Sequence, residues 1–137
     1  MMKKILVYLL CLLILITPLS PPLVSHASPM IGFEHVASIW GSEDQPREVY
    51  PGSSNVRLII LVQYTGNVTL VNTIGILSLP EGFTSSDGSV QPASQGTVEK
   101  NNTATSSVSP GDIIRYEYLV DISGDLTEGV YTGILTI

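Results

Sequence analysis

Asp112-Ile113-Ile114-Arg115-Tyr116-Glu117-Tyr118-Leu119-Val120-Asp121-Ile122 is the stretch whose reading decides the fold class. Ile114, Tyr116, Tyr118, Val120 and Ile122 fall on alternate positions, with Arg115, Glu117 and Asp121 between them. Successive side chains of an extended chain point to opposite sides, so this period of two describes a strand with one face turned inward. Pro110-Gly111 precedes it as a turn signal, because proline presets the first turn position and glycine supplies a positive φ at the next.

Working outward, the same alternation returns in Asn55 to Tyr64. Val56, Leu58, Ile60, Val62 and Tyr64 form its core face, while Arg57, Ile59, Leu61 and Gln63 lie opposite. Ile59 and Leu61 make that second face partly apolar, so it is either covered by a neighbouring segment or offered to a partner; covering is the expectation. Thr65-Gly66-Asn67 reads as a hairpin turn into a strand from Val68 to Leu79, whose phase slips at Asn72-Thr73 and predicts a bulge near Asn72 to Gly75. A first strand is expected over Gly32 to Trp40 and a last one over Val130 to Ile137. Val49-Tyr50-Pro51-Gly52 and Leu79-Pro80-Glu81-Gly82-Phe83 punctuate the chain as turns. Thr84 to Ser109 is a polar excursion with isolated valines at 90, 98 and 108, where short, poorly buried edge strands are the most expected. A helical period of 3.6 appears nowhere after residue 27, so the domain reads as all-β.

The first 27 residues differ in kind. Lys3 and Lys4 precede an apolar run from Ile5 to Ile16, then Pro18 and a small-residue end at Ser25-His26-Ala27. Twelve residues of helix span only about 18 Å, short of the roughly 20 residues needed to cross a bilayer. A signal peptide over 1–27, cleaved after Ala27, is therefore expected, with an uncleaved anchor as the alternative. Both readings place residues 28–137 outside the cytoplasm, at the cell surface or beyond. Cys11, the single cysteine, lies in this leader and lacks the small residue before it that a lipoprotein signal places there. The remaining 110 residues suit one domain, which buries roughly two thirds of its unfolded surface. Without a disulfide, its stability must come from apolar burial and strand pairing. The expected last strand reaches Ile137 with no tail, so residues 28–137 read as the first module of a longer protein whose next module or membrane anchor is missing from this sequence.

Of six basic residues only four lie in 28–137, against all twelve acids, a net charge of −8 there. Nucleic acid and anionic lipid heads are excluded as partners, because both are bound through clustered Lys and Arg. Only 13% of the chain is charged while Ser, Thr, Asn and Gly are plentiful, a composition that suits extended structure.

Six pieces recur in order: Ser38-Ile39-Trp40-Gly41, Val49-Tyr50-Pro51-Gly52, Leu58 to Asn67, Leu77 to Phe83, Ser109-Pro110-Gly111-Asp112 and Glu128-Gly129-Val130-Tyr131. Together they resemble the immunoglobulin-like modules of archaeal surface-layer-type proteins, and are similar to the β-sandwich module associated with alpha-galactosidases and to bacterial adhesion modules. The resemblance implies an immunoglobulin-like two-sheet sandwich of about seven strands, placed after the hydrophobic signal helix. It implies a non-enzymatic structural or adhesion module of the cell envelope, whose partners are other envelope proteins or tandem copies of the same module. It supplies no catalytic residue. A carbohydrate-binding accessory module of a secreted glycoside-active protein is the alternative, with glycans as partner.

Candidate sites are few. Asn67-Val68-Thr69 and Asn101-Asn102-Thr103 are N-glycosylation sequons in expected turns, and each asparagine also suits a turn in its own right. Trp40 is the candidate contact for a ligand or partner. Asp121, Ser123, Asp125 and Glu128 have a faint calcium-loop spacing, but the glycine falls at Gly124 and Thr132 stands where a bidentate acid belongs. His35 has neither a cysteine nor a second imidazole in 28–137 to complete a metal site or nucleophile–base pair. No catalytic, cofactor-binding or metal-ligating set is expected.

Overall fold

The computed structural model describes residues 28–137, so the leader, with Cys11 and the expected cleavage site, lies outside the described residues. Eleven strands follow: β1 (Phe33–Trp40), β2 (Val56–Tyr64), β3 (Leu70–Val71), β4 (Ile74–Ser78), β5 (Phe83–Ser85), β6 (Ala93–Gln95), β7 (Val98–Lys100), β8 (Thr103–Thr105), β9 (Ser107–Val108), β10 (Ile113–Ile122) and β11 (Ile134–Thr136). All pairings between them are antiparallel. The main sheet runs β1-β2-β10-β5, a second runs β11-β4-β6, and β3-β9 and β7-β8 are two-stranded.

The central pair of the main sheet follows its alternation. In β10, Ile114, Tyr116, Tyr118, Val120 and Ile122 are buried, whereas Ile113 and Leu119 are exposed. β2 buries Leu58, Ile60, Val62 and Tyr64 on the same side. Ile59, on the other face, is also fully buried. Its ladder neighbours are Ile39 and Glu117, and ion pairs of Arg57 with Glu117 (3.5 Å), Arg115 with Glu117 (2.9 Å) and Arg115 with Glu43 (3.1 Å) run over it. Ile39 and Glu117 thus flank the isoleucine on its two sides. The chain itself covers this face.

Three elements depart from expectation. Thr65-Gly66-Asn67 does not close a hairpin: the chain runs on beside residues 30–32, with Thr65 N donating to Gly32 O and Asn67 N to Met30 O. It then leaves the main sheet. Gly66 serves by its smallness, since a Cβ there would collide with the Tyr64 ring. The expected strand over 68–79 breaks where its phase slips, but as a change of sheet rather than a bulge: Asn72 adopts φ 55°, β3 pairs with β9, and β4 pairs with β6 and β11. The last strand is only Ile134–Thr136, with Val130 fully exposed. Tyr131 instead packs on Phe83, ring centroids 5.1 Å apart, and donates its hydroxyl to Thr127 O at 2.6 Å.

The polar excursion accounts for most of the excess over about seven strands, since β6 to β9 lie in it. It is also less peripheral than its composition suggests, because Val98 and Val108 enter the core. Each Pro-Gly turn forms as read: Ser53 N donates to Tyr50 O and Asp112 N to Ser109 O, with Gly52 and Gly111 at φ 85° and 88°. Proline at the second position and positive φ at the third define type II turns.

The core joins the two larger sheets through tyrosines seated against glycines. Tyr118 donates its hydroxyl to Gly75 O on β4 at 2.9 Å, a buried bond between the sheets. A Cβ on Gly75 would lie 2.8 Å from both the Tyr116 and Tyr118 rings or hydroxyls, and one on Gly96 2.6 Å from Ile114. Backbone without side chain is what lets the rings in. Burial lifts the Tyr118 hydroxyl far above its ordinary pKa, and lifts that of Tyr116 against the influence of nearby Thr73.

Candidate binding cleft

Among the described residues β1 is an outer strand of the main sheet and β11 an outer strand of the second. Near the end of β1 and the segment that leads into β11 lies a cleft of about 610 Å³. Leu58 and Ile60 of β2 and Leu77 of β4 form its floor, and Leu79, Phe83, Leu126 and Tyr131 line one side. Trp40, Val49, Tyr50 and Pro51 line the other, with Arg47, Glu48 and Glu128 among the charged lining residues.

Local sequence explains the shape. Trp40 ends β1 opposite Leu58, so it points with the core face and is only partly buried. Gly41, at φ 92°, then turns the chain sharply, and Arg47 N returns to Trp40 O at 2.8 Å. The turn at Pro51-Gly52 is pinned to β10, since Gly52 N donates to Ile122 O and Ile122 N to Ser53 O. This carries Tyr50 to the cleft mouth. Tyr50 donates its hydroxyl to Glu48 Oε2 at 2.5 Å; that bond and the Glu48 charge hold the phenol above its ordinary pKa. The floor is apolar and the ionisable groups stand around it, an arrangement fitted to desolvating an apolar surface.

Trp40 is thus part of a cleft wall. Five of the six motif pieces contribute to the lining, through Trp40, Tyr50, Leu58, Phe83 and Tyr131 among others; only Ser109-Pro110-Gly111-Asp112 lies elsewhere. No local period signalled this convergence, because it joins residues up to 95 positions apart, from Ser38 to Gly133.

Both sequon asparagines are exposed, but they differ in their bonds. Asn67 is engaged: its Oδ1 accepts from Met30 N at 2.7 Å and its Nδ2 donates to Ser28 O at 3.1 Å. Asn101 stands exposed at the tip of the β7–β8 hairpin, where it and Asn102 adopt φ 52° and 60°. Positive φ at both loop residues makes a type I′ turn, matched to the twist of the strands it joins.

The remaining candidate groups have structural employment. Asp121 Oδ1 accepts from Asn55 N at 2.5 Å, and the Ser123 hydroxyl accepts from Asp125 N. His35 Nε2 lies 2.9 Å from Ser38 Oγ. Asp112 accepts from Ser109 N at 2.6 Å and pairs with Lys100 at 2.7 Å. Partial burial works against its ionisation, but the Lys100 bond, the Ser109 amide and the Lys100 charge together hold its carboxyl below the usual range. Among the described residues no three His, Cys, Asp or Glu side chains gather into a metal-binding group. Compared with models of known families, with curated proteins and with solved structures, the chain matches none.

Proposed function

We propose that residues 28–137 form an immunoglobulin-like two-sheet sandwich that acts as a non-enzymatic structural and adhesion module of the cell envelope, of the surface-layer type. The observation that carries this reading is the employment of polar groups: Asn67, Asp112, Asp121 and Tyr118 hold strands and turns together. The large unengaged feature is an apolar cleft. Shape and adhesion suit such a surface better than bond-breaking chemistry, which needs convergent polar groups. The export-type leader and the net charge of −8 support a position outside the cytoplasm. On this reading Asn101 carries a glycan, whereas one at Asn67 would crowd residues 28–30, which bond to its side chain.

The test is fractionation of the native cells with an antibody raised against residues 28–137, combined with protease treatment of intact cells. The expected antigen is envelope-bound, protease-accessible and heavier than its sequence by an amount lost in Asn101→Gln. Antigen confined to the cytoplasm, or found only in the medium, overturns the reading.

A second reading is favoured by Trp40, Tyr50 and Tyr131 lining one cleft: a carbohydrate-binding accessory module, in which these rings stack on sugar. Polysaccharide pull-down lost in Tyr50→Ala, a change at an exposed position, distinguishes it.

A further inference from the structure

The two larger sheets turn different faces to solvent. The outward positions of β2 and β10 include Arg57, Arg115 and Glu117, joined by ion pairs, so that face is charged. The second sheet is not. β4 buries Gly75 and Leu77 and turns Ile74 and Ile76 outward, where both are exposed. Register places Gln95 beside Ile74, and Ala93 and Thr136 on either side of Ile76, all three exposed. Ile134 extends the patch beside Ser78. None of the twelve acids or four bases of residues 28–137 lies on β4, β6 or β11. At the β6 side Asn72, Ile74, Ala93, Ser94 and Gln95 line a groove of about 340 Å³. Single exposed apolar residues are ordinary, whereas a contiguous patch marks an interaction surface. This is a face and not an edge, so a strand added beside β11 or β6 would widen it without covering it.

We propose that the outer face of the second sheet is a self-association surface, which docks about a two-fold axis on the same face of a second copy of this domain. The distribution of charge names the occupant. Two copies at −8 each repel one another, and least where neither presents a charged group. A charged partner would lose its hydration here with no opposite charge to meet it. The polar groups around the isoleucines are the amides of Asn72 and Gln95 and the hydroxyl of Thr136, which both donate and accept hydrogen bonds. A two-fold related copy therefore supplies the complement of each. These strands carry no aromatic ring on which a sugar could stack. Five residues at about 3.4 Å rise and three strands about 4.8 Å apart make a footprint of roughly 17 by 14 Å, well under the about 800 Å² per partner of a stable complex. A pair held by this face alone is therefore weak, with a Kd of about 0.1–1 mM, an effective concentration that copies displayed side by side on a surface reach. The inference rests on the adhesion reading and names its partner.

The test is sedimentation equilibrium of residues 28–137 from about 10 µM to about 2 mM, in about 0.01 M and about 0.5 M NaCl. The expected result is a monomer–dimer equilibrium that high salt tightens about threefold, because screening removes the repulsion between copies without weakening an uncharged contact. Ile76→Lys sets like charges against each other at the centre of the pair and is expected to weaken it about tenfold or more. Leu119→Lys, at a similarly exposed position on the charged face, is expected to leave it unchanged. Thermal unfolding checks that both variants fold; if Ile76→Lys does not, Ile74→Gln at a more exposed position takes its place, with an expected loss of about threefold. Monomer throughout at about 2 mM, equal loss in both lysine variants, or no loss in Ile76→Lys overturns the proposal. So does a chain that stays monomeric while its Ile74 and Ile76 methyl signals shift on addition of phosphatidylcholine vesicles or chito-oligosaccharide, which gives the face to lipid or to sugar. Envelope fractionation reads the compartment independently, so failure of this pairing leaves the broader reading standing, and the reverse also holds.

Discussion

Tyr64, Tyr116 and Tyr118 disappear into the core, whereas Trp40, Tyr50 and Tyr131 stand around the cleft. Both sets are aromatic, and Tyr64, Tyr116, Tyr118 and Trp40 all sit on inward positions of their strands. What separates them is the facing backbone. Gly66 clears room for Tyr64, and Gly75 and Gly96 clear room for Tyr116 and Tyr118; Trp40 instead borders the cleft. An inward period thus states which way a side chain points. How deeply it is buried depends on what the rest of the chain brings against it.

The largest blow to this contrast is expected from filling the glycine side. Gly96→Val forces atoms into a site where even a Cβ lies 2.6 Å from Ile114, and overpacking of this kind costs about 3 kcal/mol. Urea unfolding of residues 28–137 checks it, with Gly124→Val as the control, since a Cβ there comes no nearer than 3.9 Å to another atom and the backbone is not in the left-handed region.

Smaller effects come from single bonds. Tyr118→Phe removes the hydroxyl that donates to Gly75 O in a buried setting and is expected to cost about 1.5 kcal/mol. Tyr116→Phe should cost clearly less, because Thr73 lies near its hydroxyl without meeting hydrogen-bond geometry. Thermal unfolding of the two variants side by side sharpens the comparison within the core itself. Asn67→Ala releases residues 28–30 from two bonds, an expected loss of about 1 kcal/mol. Asn101→Ala, at an exposed hairpin tip, should change stability less.

The smallest effect is one of pH. Asp112 has its folded pKa depressed, so it stabilises the fold fully above the unfolded value of about 3.9 and loses that contribution as pH falls through the lower, folded value. Asp112→Asn is therefore expected to flatten the acid side of the stability curve below about pH 4. A variant as acid-sensitive as the parent would assign that slope to other carboxylates.

Much of the main sheet was legible in the sequence, because β2 and β10 bury one face and each position is decided by local alternation. The two Pro-Gly turns were legible for the same local reason. Where the chain changes sheets, Gly66 and Asn72 gave only the place of the irregularity: whether a strand bulges or crosses depends on which edges are free elsewhere. Val98 and Val108 were misjudged because their neighbours are polar, and burial came from packing against residues distant in sequence. The cleft was invisible, although Trp40 was singled out, since Tyr131 and Phe83 reach it only through the tertiary path. Asn67 matched a sequon equally well as Asn101, and only its bonds to Met30 and Ser28 tell them apart.

Native-state hydrogen exchange on residues 28–137 tests the central contrast most directly, because it reads strand edges one amide at a time. The account predicts slow, globally limited exchange from Ile114 to Val120 and faster exchange across residues 130–137. Protection in β11 equal to that of β10 would contradict it.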